Sequence, residues 1–236
     1  MTPLAESTAR TGTSGPPVDR GSIRPDVHAV ALAVAELVRR SDPAVGATRV
    51  VAVDGRSGSG KSTVACSLAA ALPAPVINLD DLYPGWDGLA DVTRRVRDWV
   101  IEPLRAGRDP RWRRYDWDRG RYGGWVTTPR AEYLVVEGCG AGGRLIAPAL
   151  SLLVWVDVPQ EQRARRLAGR PDWSSYAPHA ARWSAQETAL LAREGTPDRA
   201  DVHIRNTTPI GVSLVSDRAR LLHAGEPGSA HPEVST

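Results

Sequence analysis

Residues 55–62 read Gly-Arg-Ser-Gly-Ser-Gly-Lys-Ser, and no other stretch of this chain constrains its folding so tightly. Closely spaced glycines let a backbone curl so that successive N–H groups converge on one anion. Lys61 adds a compact ammonium for phosphate oxygens, and Ser62 a hydroxyl for a divalent cation. The flanks suit the pattern. Residues 50–53 form a β-branched run that reads as a buried strand, and residues 61–72 read as a helix with Pro73 beyond its end. The N-terminus of that helix brings further partial positive charge to the loop. This strand–loop–helix unit implies nucleotide binding through Gly55, Ser57, Gly58, Ser59, Gly60, Lys61, Ser62 and Thr63.

Composition sharpens the point. Lys61 is the one lysine among 30 basic residues; all the others are arginine. A chain that replaces lysine wherever the two are equivalent keeps it where a point charge must enter a tight cradle. A GC-rich codon bias explains the arginines but not the exception.

Around this unit the 236 residues alternate strand and helix. Helices are expected over residues 26–40, 89–104, 160–167 and about 179–193, and strands over 75–79, 134–136, 152–156 and 202–204. Continuous apolar strands with helical crossovers predict an α/β fold, a parallel sheet covered on both faces. Residues 1–24 and 224–236 are polar and aperiodic, read as disordered segments flanking a single domain at 25–223. No secretory signal or membrane-spanning run is recognisable, and Cys66 and Cys139 sit in apolar runs as reduced core residues, so a cytoplasmic location is expected. A net charge of +3 is a weak basis for nucleic-acid binding, and neither a nucleic-acid nor a membrane partner is expected.

Ligands of open α/β sheets lie at the carboxyl ends of the strands. Asp80 and Asp81, Glu137 and Asp157 sit there. Phosphoryl transfer to a hydroxyl needs a carboxylate to take the proton and another to hold the metal shell. Asp80 is the candidate base, and Glu137, with Ser62, the candidate Mg²⁺ ligand.

Further segments carry a resemblance. Asp80-Asp81-Leu82-Tyr83, Tyr115-Asp116, Val135-Val136-Glu137-Gly138, the arginines after Val156-Asp157 and Asp198-Arg199-Ala200-Asp201-Val202 resemble, in that order, motifs of the uridine kinases and their pantothenate kinase and phosphoribulokinase relatives. The resemblance covers about residues 49–206. It implies a P-loop NTPase three-layer sandwich with a mostly parallel five-stranded sheet and a helical, arginine-bearing lid at about 160–175. It further implies ATP and Mg²⁺ as cofactors, a γ-phosphoryl transfer to a hydroxyl of a nucleoside or similar metabolite, and Asp80 as general base. Asp81, Tyr83, Tyr115, Asp116 and Arg119 would contact the acceptor. Lys61 and the lid's Arg163, Arg166 and Arg170, which share one helix face, would stabilise the transferring phosphoryl. The run from Trp117 to Trp125, and Arg170-Pro171-Asp172 in the lid, depart from the uridine kinase pattern.

Those departures leave the acceptor open: a nucleoside monophosphate, sugar, vitamin precursor or antibiotic fits as well, as does a regulatory ATPase that transfers nothing. Trp86, Trp112, Trp117 and Trp125 read equally as a stacking wall for a flat substrate or as packing in a chain without phenylalanine. Trp173, Tyr176 and Trp183 read as packing under the lid. Residues 206–209 are a guess for the adenine pocket. Oligomeric state is not written in the sequence.

Overall fold

The structure, a computed structural model, describes residues 25–224. The expected disorder of residues 1–24 and of the tail beyond Ala224 concerns residues outside the described ones. Strands are β1 (Arg49–Asp54), β2 (Val76–Asn78), β3 (Arg111–Asp116), β4 (Arg121–Thr127), β5 (Tyr133–Glu137), β6 (Leu152–Asp157), β7 (Val202–Arg205) and β8 (Gly211–Leu214). Helices are α1 (Pro25–Arg40), α2 (Lys61–Ala71), α3 (Val92–Val96), α4 (Glu102–Arg105), α5 (Gln160–Ala168), α6 (Trp173–Tyr176), α7 (Ala180–Glu194), α8 (Thr196–Arg199) and α9 (Asp217–Ala224).

The main sheet runs β2-β5-β1-β6-β7-β8. The five strands expected from the sequence are all parallel, and β8 adds an antiparallel edge. The period-2 alternation of a strand sorts its side chains into two cores. Val51, Val53, Val135, Leu152, Val154 and Val156 pack under α1 and α2. Val50, Ala52, Leu134, Val136, Leu153 and Trp155 face the opposite layer, where α7 contributes Trp183 and Leu190. Both faces being buried is why these strands read as unbroken apolar runs. No helix among the described residues is long and apolar enough to cross a membrane.

Two features differ from the sequence reading. The helix expected over residues 89–104 is broken into a 3₁₀ turn at Gly88–Asp91, α3, a π-helical turn at Arg97–Ile101 and α4. Pro103 has no N–H to give the turn before it, and a π turn is one way a helix absorbs such a register fault. No strand is expected from the sequence between residues 104 and 134, yet β3 and β4 form a separate antiparallel hairpin with a bulge between Arg113 and Tyr115. Its strands are rich in arginine and glycine, so they lack an apolar alternation to betray them. Of the cysteines, Cys139 is buried as expected, whereas Cys66 is half-buried on α2 rather than in the core; both are free thiols.

Candidate functional site

The loop of residues 55–62 springs from the carboxyl end of β1 and runs into α2. Its glycines are steric necessities. A Cβ on Gly55 would sit 2.3 Å from the Val156 carbonyl oxygen, and one on Gly60, whose φ is +89°, 2.1 Å from Asn206 Nδ2. The amides of Gly58, Gly60, Lys61 and Ser62 donate no hydrogen bond among the described residues. The loop's carbonyls are held instead. Arg163 donates to Ser57 O at 3.1 Å, Arg166 to Ser59 O at 3.1 Å, and Asn206 Nδ2 to Ser59 O at 2.8 Å. A planar peptide whose C=O is fixed on one side presents its N–H on the other. The cradle therefore offers a set of unpaired amides, next to a buried lysine, that fits a chain of phosphates.

Carboxylates surround Lys61. Burial opposes its charge, but Cys139 and the carboxylates of Glu137, Asp80 and Glu187 hold its pKa above the ordinary lysine value. Glu137, at the end of β5, accepts from Ser62 Oγ at 3.3 Å. Burial pushes its carboxyl up to about 7; Lys61 and Ser62 pull it down and Asp80 pushes it up. A hydroxyl beside a carboxylate is a fitting pair of ligands for Mg²⁺, which takes the rest of its shell from phosphates and water. Among the described residues no group of three or more His, Cys, Asp or Glu is placed to hold a metal alone.

Asp80 lies exposed at the mouth, in the 3₁₀ turn after β2. Its own amide is capped by Asn78 Oδ1 at 2.8 Å, and its carbonyl accepts from Trp117 Nε1 at 2.9 Å. Asp81 turns to Arg114 at 3.3 Å, and burial pushes its carboxyl to about 6 despite that guanidinium. Tyr83 is 1 % exposed and donates to the Cys139 carbonyl at 2.9 Å, so it lies inside the wall rather than on it. Tyr115 packs edge-on against Trp117 and Tyr122. Asp116 and Arg119 meet at the hairpin tip, where the aspartate accepts the Arg119 amide at 2.9 Å and its guanidinium at 3.5 Å. Arg170 is bridged to Asp172 at 2.6 Å beside the Tyr176 ring. Asp157 is exposed at the end of β6.

The tryptophans divide. Trp112 is buried and donates to Thr128 Oγ1, which is packing. Trp125 lies on the outer face of the hairpin against Arg111 and Trp99. Trp86 and Trp117 lie with ring centres 4.7 Å apart, Trp86 stacks on His179 at 4.3 Å, and Tyr176 closes the cluster at 5.7 Å. That is an aromatic wall beside Asp80. Trp183 is more than lid packing: its indole donates to Ser57 Oγ at 3.0 Å, inside the cradle.

Two residues were missed. Asp54, the last residue of β1, accepts amides of Gly55, Gly140 and Gly142 at 2.7, 2.9 and 2.9 Å, tying the loop to the turn after β5. Burial pushes its carboxyl up to about 6 against those three amides. Its signal was available, since it is one more acid at a strand end. Glu187 of α7 accepts the Ser57 amide at 2.7 Å and Arg56 Nε at 3.0 Å. It is 130 residues from its partner and no local pattern marks it. Asn206 donates its side-chain amide to the Ser59 carbonyl of the loop.

No family model matches the chain, and no curated protein does. Solved structures resemble it in shape. A possible uridine kinase from Bacillus stearothermophilus is 20 % identical with a TM-score of 0.49, over 67 % of this chain and 89 % of that one. A provisionally assigned fructose transport system kinase from Silicibacter is 23 % identical with a TM-score of 0.46, over 74 % and 94 %. An uncharacterised protein from Eubacterium ventriosum is 13 % identical with a TM-score of 0.42, over 75 % and 95 %.

Proposed function

We propose that this chain is an ATP-dependent phosphotransferase that moves the γ-phosphoryl to a hydroxyl of a nucleoside or similar small metabolite. The observation that carries the reading is the cradle itself: unpaired amides and the buried Lys61, faced by Glu137 and by the exposed Asp80. The amides and Lys61 bind the phosphates. Ser62 and Glu137 would hold Mg²⁺, which supplies charge neutralisation to the phosphates when bound. Asp80 accepts the proton of the acceptor hydroxyl as that oxygen attacks. Trp117 fixes the Asp80 main chain, and the wall of Trp86, Trp117, His179 and Tyr176 bounds the acceptor. Arg163 and Arg166 hold loop carbonyls, whereas Arg170 is held by the neighbouring Asp172 side chain at the surface, and it is the lid arginine assigned to the transferring phosphoryl. Asp116 and Arg119 stabilise the hairpin that carries Trp117.

The test is incubation with ATP and Mg²⁺ in a pool of nucleosides, nucleoside monophosphates, sugars and pantothenate-like alcohols. Mass spectrometry then looks for a gain of one phosphoryl group, with Lys61→Ala as the blank. A phosphorylated nucleoside absent from the blank supports the reading. Another phosphorylated acceptor moves it to a kinase of that substrate. ATP binding with no product across a widened pool would favour a regulatory ATPase.

A further inference from the structure

Building on the nucleotide-binding reading, we propose that Glu187 is the positioning residue of the phosphate cradle, setting the peptide planes of the loop from outside. Ser57 is held at all three of its polar groups. Its N–H goes to Glu187 Oε1 at 2.7 Å, its C=O to Arg163 at 3.1 Å, and its hydroxyl to the Trp183 indole at 3.0 Å. Two helices distant in sequence, α5 and α7, thus grip a single loop residue.

The consequence follows from peptide planarity. Fixing the Ser57 amide on Glu187 turns the preceding carbonyl, that of Arg56, to the other side, where it accepts the Ser59 amide at 3.1 Å. Fixing the Ser57 carbonyl on Arg163 turns the Gly58 amide the opposite way, and that amide is one of those without a partner among the described residues. Two successive peptide planes are thereby locked: the first spends its N–H on Glu187, and the second is left presenting the Gly58 N–H to an anion.

Glu187 is suited to the task by its own surroundings. It is 3 % exposed, with Arg56 Nε at 3.0 Å on one oxygen and the Cys139 thiol at 3.3 Å on the other. Arg163 approaches at 4.0 Å. Burial opposes its ionisation, but the Ser57 amide and hydroxyl, Arg56 and Cys139 outweigh burial, and its pKa falls below the ordinary glutamate value. Arg56, at a variable position of the loop pattern, is in turn saturated by Glu187, the Ser184 carbonyl and hydroxyl, and Thr188. It serves the clamp rather than the phosphates. A carboxylate whose only task was to anchor α7 to the sheet would have no need of a loop amide.

The experiment measures Mg²⁺-dependent binding of a non-hydrolysable ATP analogue, with thermal melts, for wild type, Glu187→Gln, Glu187→Ala and Arg56→Met. It adds amide hydrogen exchange of residues 55–62 without nucleotide. Glu187→Gln keeps the shape, removes the charge and guards against a variant that fails to fold. The expected result is analogue binding weakened about tenfold or more in folded Glu187→Gln, the scale typical when a group that orients a ligating group is lost. Exchange across the loop rises, and Arg56→Met combined with Glu187→Gln is less than additive. A merely structural carboxylate would lower Tm and leave both loop exchange and affinity of the folded protein as in wild type, which would overturn the proposal. Failure of the wild type to bind the analogue would sink the nucleotide reading instead, and unchanged loop exchange would still count against Glu187 on its own.

Discussion

The two sides of the site are built by different means. The proposed nucleotide side is one continuous loop whose available groups are backbone amides, and side chains from β1, α5 and α7 hold it from behind. The proposed acceptor side is a set of side-chain surfaces brought from four places: Asp80 after β2, Trp86, the hairpin tip with Trp117, and His179 with Tyr176 from the α6 region. A site made of backbone demands glycine at fixed positions, because only there can the chain curl and approach closely. A site made of scattered side chains imposes no spacing. The comparison teaches that a backbone cradle and a side-chain wall are recorded in a sequence by different physics.

If the two sides are separable, damage to one should leave the other intact. The largest effect is expected at their junction. Asp80→Asn should lower kcat by about 10²–10⁴-fold, the usual worth of a positioned base, while leaving affinity for a Mg²⁺–ATP analogue nearly unchanged. Turnover kinetics and calorimetric titration of the same variant check this; full turnover would remove Asp80 as the base. Trp117→Ala comes next. It deletes the bond to the Asp80 carbonyl and the contact with Trp86, so acceptor KM should rise from a few-fold to about tenfold, with nucleotide affinity unmoved. A rise in nucleotide KM instead would merge the two sides.

The smallest effect is a pH dependence on the nucleotide side. Glu137 is pushed up to about 7 in the folded protein against an ordinary 4.5. A raised carboxyl contributes stability that is complete below pH 4.5 and is lost as pH climbs through 7. Asp54 and Asp81, each about 6, act in the same direction. Melts of nucleotide-free protein should therefore show Tm falling across that window, with Glu137→Gln flattening the slope by a few degrees. An identical slope in the variant would mean that Glu137 is already ionised at lower pH.

The fold was legible for the same reason as the loop. Residues 50–53 and 152–156 are buried on both faces, and burial on both faces writes an apolar run that no loop would carry. The hairpin escaped because arginine and glycine occupy its strands, and its stability comes from rings such as Tyr122 against Trp99 rather than from an apolar stripe. Asp80, Glu137 and Lys61 can be nominated from sequence because strand ends and glycine loops fix where charge can work. Glu187 escaped because its partners, Arg56 and Ser57, become neighbours only after the chain has folded. Spacing places Arg163, Arg166 and Arg170 on one helix face, but α5 ends at Ala168 before Arg170, and spacing alone cannot tell that Arg163 and Arg166 face loop carbonyls.

The central claim is that residues 55–62 form a working nucleotide cradle, and calorimetric titration of the whole chain with a non-hydrolysable ATP analogue tests it most directly. Wild type should bind one analogue per chain, dependent on Mg²⁺, and Lys61→Ala should bind it at least about 100-fold more weakly with the fold preserved, the scale at which a single preorganised charge acts in such a site. Absence of binding by wild type, or equal binding by the lysine variant, would contradict the account.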